Sequence, residues 1–336
     1  MRNGWFRRAQ APERIQRYRC VDCGRYFSDQ TFSTRYWLKR PGLLVPIFHG
    51  LVGCACFRQL ARQHDCSPQT IALQAARLGR HCQLFHERLR PRGEIGEPLV
   101  LDSFQSFDHS QYHPSLDHLL LGQDSHYLYG FTDSECRRSG RMTAYQKRRR
   151  AELERTFGRP DPRSVEREVA TLLAIVAPRP QRLELHTDEH RAYPRAFARV
   201  PHLVIEHHTV SSRARRTSRN RVYAANLADG LIRHGGANHK RETIAFSKRR
   251  QSSLWRLWVF TAWRNYVKWF SERAHDATPA MRAGVCTQRW SVRALLSTRL
   301  FFHRIGLPER WERVYRGLTP TRRIPNARAH TLKYAF

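Results

Sequence analysis

Acidic residues are scarce in this chain. Only 28 Asp and Glu stand against 60 Lys and Arg in 336 residues, a formal charge of +32 before 18 histidines are counted. Lysine is scarce as well, at six, so the cations are almost entirely arginine. A surface of one sign repels itself and calls for a polyanion to offset it, which sets this chain apart from most metabolic enzymes. Arginine's planar fork grips phosphate oxygens in pairs, so nucleic acid is the expected partner and an anionic membrane surface the weaker one. Long apolar runs are missing: the longest, Gly42 to Phe57, is broken by Pro46 and His49 and is too short to span a bilayer. The first residues, Met1 to Arg8, lack the apolar segment of a signal peptide. Eight cysteines are too few for a disulfide scaffold, and a Cys-x-x-Cys pair in a basic chain points to a reducing compartment. The cytoplasm is the expected location.

What is present supports a sizeable core, with 40% hydrophobic residues and a length that suggests about two domains. Residues 1–40 are aromatic and basic with little helical periodicity. Residues 41–95 turn helical, and Pro91, Gly93 and Pro98 mark a linker. Short strands are expected at Pro98–Asp102, His118–Leu121, Tyr127–Thr132, Leu183–Thr187 and Leu203–His208. Helical segments are expected at Arg148–Phe157, at Ser164–Val176 and from Tyr223 onward. Strands followed by alternating helix and strand predict an α/β fold, a mixed sheet with helices on its faces. Residues 96–275 would form this domain, with a basic insertion near 134–162, and 276–336 a basic helical tail.

Three local patterns carry chemistry. The first is Cys20-Val-Asp-Cys23-Gly24, the turn that lets two thiolates reach one zinc ion. No second Cys-x-x-Cys precedes it, and Cys54 and Cys56 lie in an apolar, helical stretch, so the zinc ligand set is incomplete. Two ordinary thiols are the bland alternative to half a zinc ribbon. The second pattern is a helix-turn-helix over Phe57–Leu78: Leu60 and Ala61 face inward, Ser67 caps the second helix, Pro68 opens it, and Ile71, Ala75 and Leu78 line its apolar face. Gln69, Thr70, Gln74 and Arg77 are then expected outward, toward DNA bases and phosphates. A plain helical hairpin is the alternative.

The third pattern is a set of isolated acids. Asp102 ends an apolar strand, Asp188 follows another, and Asp229 shares a helical face with Asn226 and Arg233. Such acids suit divalent cations, Mg2+ or Mn2+, held about 3.5–4 Å apart for in-line phosphoryl transfer. Taken singly, each acid is better explained as a surface acid paired with one of the many arginines. Cation runs at Arg137–Arg141 with Lys147–Arg150, and at Ser211–Arg221 including Arg215 and Arg216, are dense enough to clamp phosphates. A stripe from Trp255 to Phe270 reads as a helix packing its aromatic side chains on the core, with base stacking the adventurous alternative.

Three separated strings make the chain resemble bacterial insertion-sequence transposases of the zinc-ribbon, acidic-triad type. They are Arg14 to Phe32 around the two cysteines, Ser139-Gly-Arg-Met-Thr-Ala-Tyr-Gln-Lys-Arg-Arg-Arg150 running into Phe157–Pro162, and Arg241-Glu-Thr-Ile-Ala-Phe246-Ser-Lys248. Together they span roughly residues 4–270. The resemblance implies a partial zinc ribbon over residues 1–40, a helix-turn-helix over 41–95, and a ribonuclease H-like catalytic core. It implies Asp102 and Asp188 as the first two catalytic, metal-binding acids and Asp229 as the third, with Glu242 a further candidate. Arg233, one turn beyond Asp229, is expected to face DNA phosphate. The implied partners are double-stranded DNA, as element ends and target, and a second copy of the chain when DNA is bound. The implied setting is the bacterial nucleoid. The family's first Cys-x-x-Cys is missing, which implies a truncated start. A decayed transposase acting only as a DNA-binding repressor, or a ribonuclease H-like nuclease, stays open.

Overall fold

The computed structural model describes residues 1–9, 12–240, 243–245, 247 and 249–320. The basic N-terminal segment forms three short strands, β1 (Arg2–Arg7), β2 (Arg14–Arg19) and β3 (Tyr26–Ser28), paired antiparallel in that order. Ile15 is their one fully buried side chain; Trp5 and Phe27 stay exposed, and the Arg14 guanidinium lies 4.6 Å over the Trp5 ring. Cys20 and Cys23 sit in the β2–β3 turn, where Gly24 takes a φ of +67° that a side chain would resist.

Three helices follow: α1 (Leu44–Val52), α2 (Phe57–Gln63) and α3 (Pro68–Leu89). Ser67 caps α3 by accepting the Thr70 N–H at 3.1 Å, and Pro68 starts it. Every residue of α3 from Leu78 to Glu87 is buried, so its second half belongs to the core.

A five-stranded sheet comes next, built from β4 (Leu99–Phe107), β5 (Pro114–Gly122), β6 (Leu128–Glu135), β7 (Gln181–Thr187) and β8 (Leu203–Thr209). Its order is β6-β5-β4-β7-β8: β5 runs antiparallel to both β4 and β6, while β4, β7 and β8 are parallel. Helices α4 (Ala144–Phe157) and α5 (Ser164–Val176) lie between β6 and β7, α6 (Ala192–Phe197) between β7 and β8, and α7 (Tyr223–Gly235) and α8 (Arg250–Ala262) after β8. Successive strand residues point to opposite faces. Ser103 reaches Tyr193 of α6 and Thr132 reaches the Glu168 carbonyl of α5, while Phe104 meets Arg233 of α7 and Phe131 meets Trp258 of α8. Both faces of the sheet are therefore covered by helices. The aromatic stripe of α8 is core: Trp258, Val259 and Ala262 are wholly buried.

The described part of the C-terminal region packs on the core. It folds into α9 (Pro279–Arg282), α10 (Val292–Ser297), α11 (Phe302–Ile305) and α12 (Glu309–Tyr315). Trp311 of α12 is 1% exposed and donates its Nε1–H to the Phe131 carbonyl at 2.9 Å. One buried apolar cluster runs from Leu38 through the sheet to Tyr315, crossing the boundaries expected near 95 and 275. Among the described residues no helix is long and apolar enough to cross a membrane.

Helices α3 and α8 cross backbone to backbone at Gly79. A Cβ there would lie 2.5 Å from the Trp255 Cβ, 2.6 Å from its carbonyl oxygen and 2.7 Å from its Cα. Gly79→Ala should therefore destabilise the protein by about 1–3 kcal/mol from overpacking, despite alanine's advantage of about 1 kcal/mol in a helix. Denaturant titration checks the sign; a more stable variant would show that the crossing is loose.

The sheet also buries two carboxylates directly opposite each other, Asp117 on β5 and Asp133 on β6. Asp133 pairs with Arg250 of α8 and Arg310 of α12. Burial pushes the Asp117 carboxyl up to about 8; the Asp133 charge adds to the push, and Arg250, Arg233 and Arg310 oppose it. The folded chain keeps a proton there that the unfolded chain releases near 3.8. A raised folded value gives stability that is complete below 3.8 and lost as pH rises through about 8. Between those limits the Tm of the wild type should fall more steeply than that of Asp117→Asn, which carries no such proton. Parallel curves would refute this.

Candidate active site

Asp102, Asp188 and Asp229 line one cleft of about 260 Å3. Each arrives on a different element. Asp102 lies in the central strand β4, whose apolar start, Leu99-Val-Leu101, is wholly buried. Asp188 stands just past the end of β7, and its Oδ1 accepts the His190 N–H at 3.0 Å, closing the turn into α6. Asp229 projects from α7, whose buried face is Ala224, Ala225, Ala228 and Ile232. Asn226 and Arg233 of the same helix, Gln105 of β4, and Arg216 and Asn220 of the loop after β8 also line it.

Electrostatics tie the acids together. Burial, joined by the charges of Asp188 and Asp229, pushes the Asp102 carboxyl up to about 6 against the opposing Ser103 N–H, 2.7 Å from its Oδ1, and Arg216. Mutual repulsion of this kind is what a bound cation relieves. Among the described residues, however, no group of three or more His, Cys, Asp or Glu converges closely enough to hold a metal ion as it stands. Asp229 shows one reason. Its carboxylate is gripped by Arg233, whose Nε lies 2.9 and 3.2 Å from the two oxygens. Arg233 also donates to the His239 and Gln105 carbonyls, at 3.1 and 3.4 Å. It is thus turned toward its own acid and the ends of β4 and α7, not outward as the sequence suggests. Glu242 lies outside the described residues.

Behind Asp102, on the other face of β4, a polar network holds the strand. The Ser103 Oγ lies 2.6 Å from His118 Nδ1 and 3.2 Å from the Tyr193 hydroxyl, and His118 Nε2 lies 2.9 Å from the Ser134 Oγ. Burial pushes His118 down to about 3, so it stays neutral, one ring nitrogen donating and the other accepting. Sequence reasoning missed these residues, along with Asp117 and Asp133. The usable signal was the same scarcity of acids that drew attention to Asp102, since Asp117 also sits among apolar neighbours.

The helix-turn-helix residues do not all face outward. Gln69 is exposed at the start of α3, Thr70 has its hydroxyl 3.0 Å from that of Ser67, and Gln74 is half-buried. Arg77 is turned inward: its Nη1 donates to the Thr34 and Tyr36 carbonyls at 3.2 and 2.9 Å, because the segment before α1 packs over this part of the helix. In contrast, Arg215 and Arg216 are exposed, and Arg216 reaches the acid cleft. At the cysteine turn, backbone N–H groups of Cys23 and Asp22 point at the Cys20 sulfur and lower its pKa, favouring the thiolate. Cys54 and Cys56 lie not within a helix but in the turn between α1 and α2, where Cys56 is the residue capping α2. Compared with known proteins, the chain matches no protein-family model and no curated sequence.

Proposed function

We propose that this protein is a DNA transposase that binds the ends of an insertion element, cleaves them and joins them to target DNA. The observation that carries the reading is the convergence of Asp102, Asp188 and Asp229 on one cleft rimmed by Arg216. The sheet order, with a central first strand antiparallel to the second and parallel to the fourth and fifth, supports a ribonuclease H-like core. The β1–β3 sheet with its Cys20–Cys23 turn supports a partial zinc ribbon, whose two thiolates supply half of a zinc ion's four ligands.

The donor chemistry fits hard divalent cations, Mg2+ or Mn2+: three carboxylates, of which Asp188 and Asp229 add to the push of burial on the Asp102 proton affinity. Asp102 and Asp188 would hold them, joined by Asp229 once Arg233 releases it. When bound, such ions stabilise the charge that develops on attacking and departing oxygens in phosphoryl transfer. The chain's own groups do the rest. Arg216 meets a phosphate beside the acids. Ser103, His118 and Tyr193 hold β4 from behind, and the Ser103 N–H holds one oxygen of Asp102. Two reactions use this one arrangement: hydrolysis of a phosphodiester to free a 3′ hydroxyl, and attack of that hydroxyl on a second phosphodiester. Pairing two element ends calls for two copies of the chain.

A repressor that only binds DNA is the second reading, and the Asp229–Arg233 ion pair is what favours it. A plasmid carrying the gene with its natural flanking DNA separates the two. Incubation with protein and Mg2+ should release fragments with defined 3′ ends at inverted repeats. Tight binding with no release would favour the repressor.

A further inference from the structure

Helix α4 is preformed yet buries none of its side chains. Thr143 and Gln146 cap each other's backbone N–H groups at 3.2 and 3.0 Å, and Gly158 ends the helix at a φ of +80°. Its inner side is anchored: Glu154 pairs with Arg137 at 2.7 Å, and Arg150 donates to the Arg138 carbonyl at 2.8 Å. Glu152 is taken by Arg149 at 2.8 Å. Both carboxylates of the helix flank its outer side, and each is paired with an arginine outside the stripe. That outer side is Ala144, Lys147, Arg148, Ala151 and Arg155, all exposed and spaced to form one stripe. Among the described residues no carboxylate pairs with those three cations. A helix without an apolar face is stable in isolation only marginally, so this stripe is a surface looking for a partner.

The sheet aims it. Because β5 is antiparallel to both, β6 and β4 run the same way, and β7 and β8 run parallel to β4. The chain thus leaves β6 for α4 at the end of the sheet where Asp188 follows β7. The Arg-rich loop after β8 leaves from that same end at the opposite edge. The acid cleft lies between two basic extensions.

We infer that the outer stripe of α4 grips the phosphate backbone of duplex DNA of any sequence, on the β6 side of the bond held in the cleft. The partner follows from the chemistry. Three unpaired cations along a straight rod match a polyanion, and the two alanines let the helix backbone approach it closely. The stripe itself carries no aromatic side chain; the exposed Tyr145 lies on a neighbouring face of the helix, and the comparison with single-stranded DNA tests whether bases stack there. The one amide of the helix, Gln146, has its Oε1 in the helix cap, so the paired amide contact that reads adenine is not offered and the cations are assigned to phosphate. The location rests on the proposed chemistry of the cleft; the test uses binding alone.

The full chain with Lys147, Arg148 and Arg155 all changed to alanine would be compared with wild type for binding a random-sequence duplex in EDTA, across a salt series. Arg88→Ala, Arg293→Ala and Arg313→Ala combined remove the same charge elsewhere and serve as control. The α4 variant should lose tenfold or more in affinity, and its salt slope should shrink by about 2.7, or 0.9 for each phosphate contact. The control should change far less. A second α4 variant with glutamine at the three positions, checked for wild-type circular dichroism, excludes unfolding as the cause. Equal loss in the control, a loss seen only on single-stranded DNA, or an unchanged slope would each overturn the inference. If strand cleavage is never found but the slope falls, the catalytic reading fails and the α4 contact stands.

Discussion

Asp102→Asn should abolish cleavage of element DNA, by roughly three orders of magnitude or more, while leaving duplex affinity within about twofold. A loss of that size corresponds to about 4 kcal/mol of barrier. The two effects separate because they live on different parts of the molecule. Asp102 is half-buried in the central strand, and its carboxylate faces Asp188 and Asp229 across the cleft. An amide keeps its shape and can still accept the Ser103 N–H, but it no longer offers a charged oxygen to a cation. The arginines that would hold DNA are untouched. Arg216→Ala should do the reverse in part, weakening DNA binding and slowing cleavage together. Rates come from labelled-end cleavage assays and affinities from anisotropy in EDTA. An Asp102→Asn protein that cuts at more than a tenth of the wild-type rate would remove this residue from the chemistry.

Asp133→Ala should be the most damaging single change to stability, costing about 3–5 kcal/mol. Asp133 is 1% exposed and takes Arg250 from α8 and Arg310 from α12. Burial alone would raise its pKa, and the two guanidiniums outweigh that and hold it below the ordinary 3.8. Removing it leaves two largely buried cations, with Glu135 3.0 Å from Arg250 and Glu168 2.8 Å from Arg310 as partial substitutes. The loss should appear as a fall in Tm on the order of 10 °C. It should be smaller in an Arg310→Met background, where one of the stranded charges is already gone. Equal losses in both backgrounds would show that Asp133 does not couple to Arg310.

Elements that depend on neighbours in sequence were legible. The Ser67 cap and Pro68 start of α3, the bounds of α5 and the apolar opening of β4 all follow from local pattern. Elements defined by distant partners were not. Strand β5 begins at Pro114, four residues before the expected start at His118, because Ser115 and Asp117 pair with β4 and β6. The β1–β3 sheet was hidden because its strands bury almost nothing. The C-terminal helices looked like a basic tail because the partners that pin them are remote in sequence: Trp311 finds its slot against Gly130, where a Cβ would lie 2.4 Å from the ring, and Arg310 pairs with Asp133.

At the site, isolated acids drew attention to Asp102, Asp188 and Asp229, and all three line one cleft, although Asp102 lies within β4 and does not end it as expected. The orientation of the arginines was beyond reach. Arg77 and Arg233 are both turned by carbonyl groups remote in sequence, at Thr34 and Tyr36 for one and at Gln105 for the other. A long cationic side chain can reach in several directions, and only the folded backbone decides among them.

The most direct measurement is end joining: wild-type protein, a labelled duplex of the element's terminal repeat with a free 3′ hydroxyl, an unlabelled supercoiled plasmid, and Mg2+ or Mn2+. Label covalently attached to plasmid by the wild type, and absent with Asp102→Asn, is the expected result. Plasmid nicked without label, or label bound but never joined while Asp102→Asn behaves identically, would contradict strand transfer at this cleft.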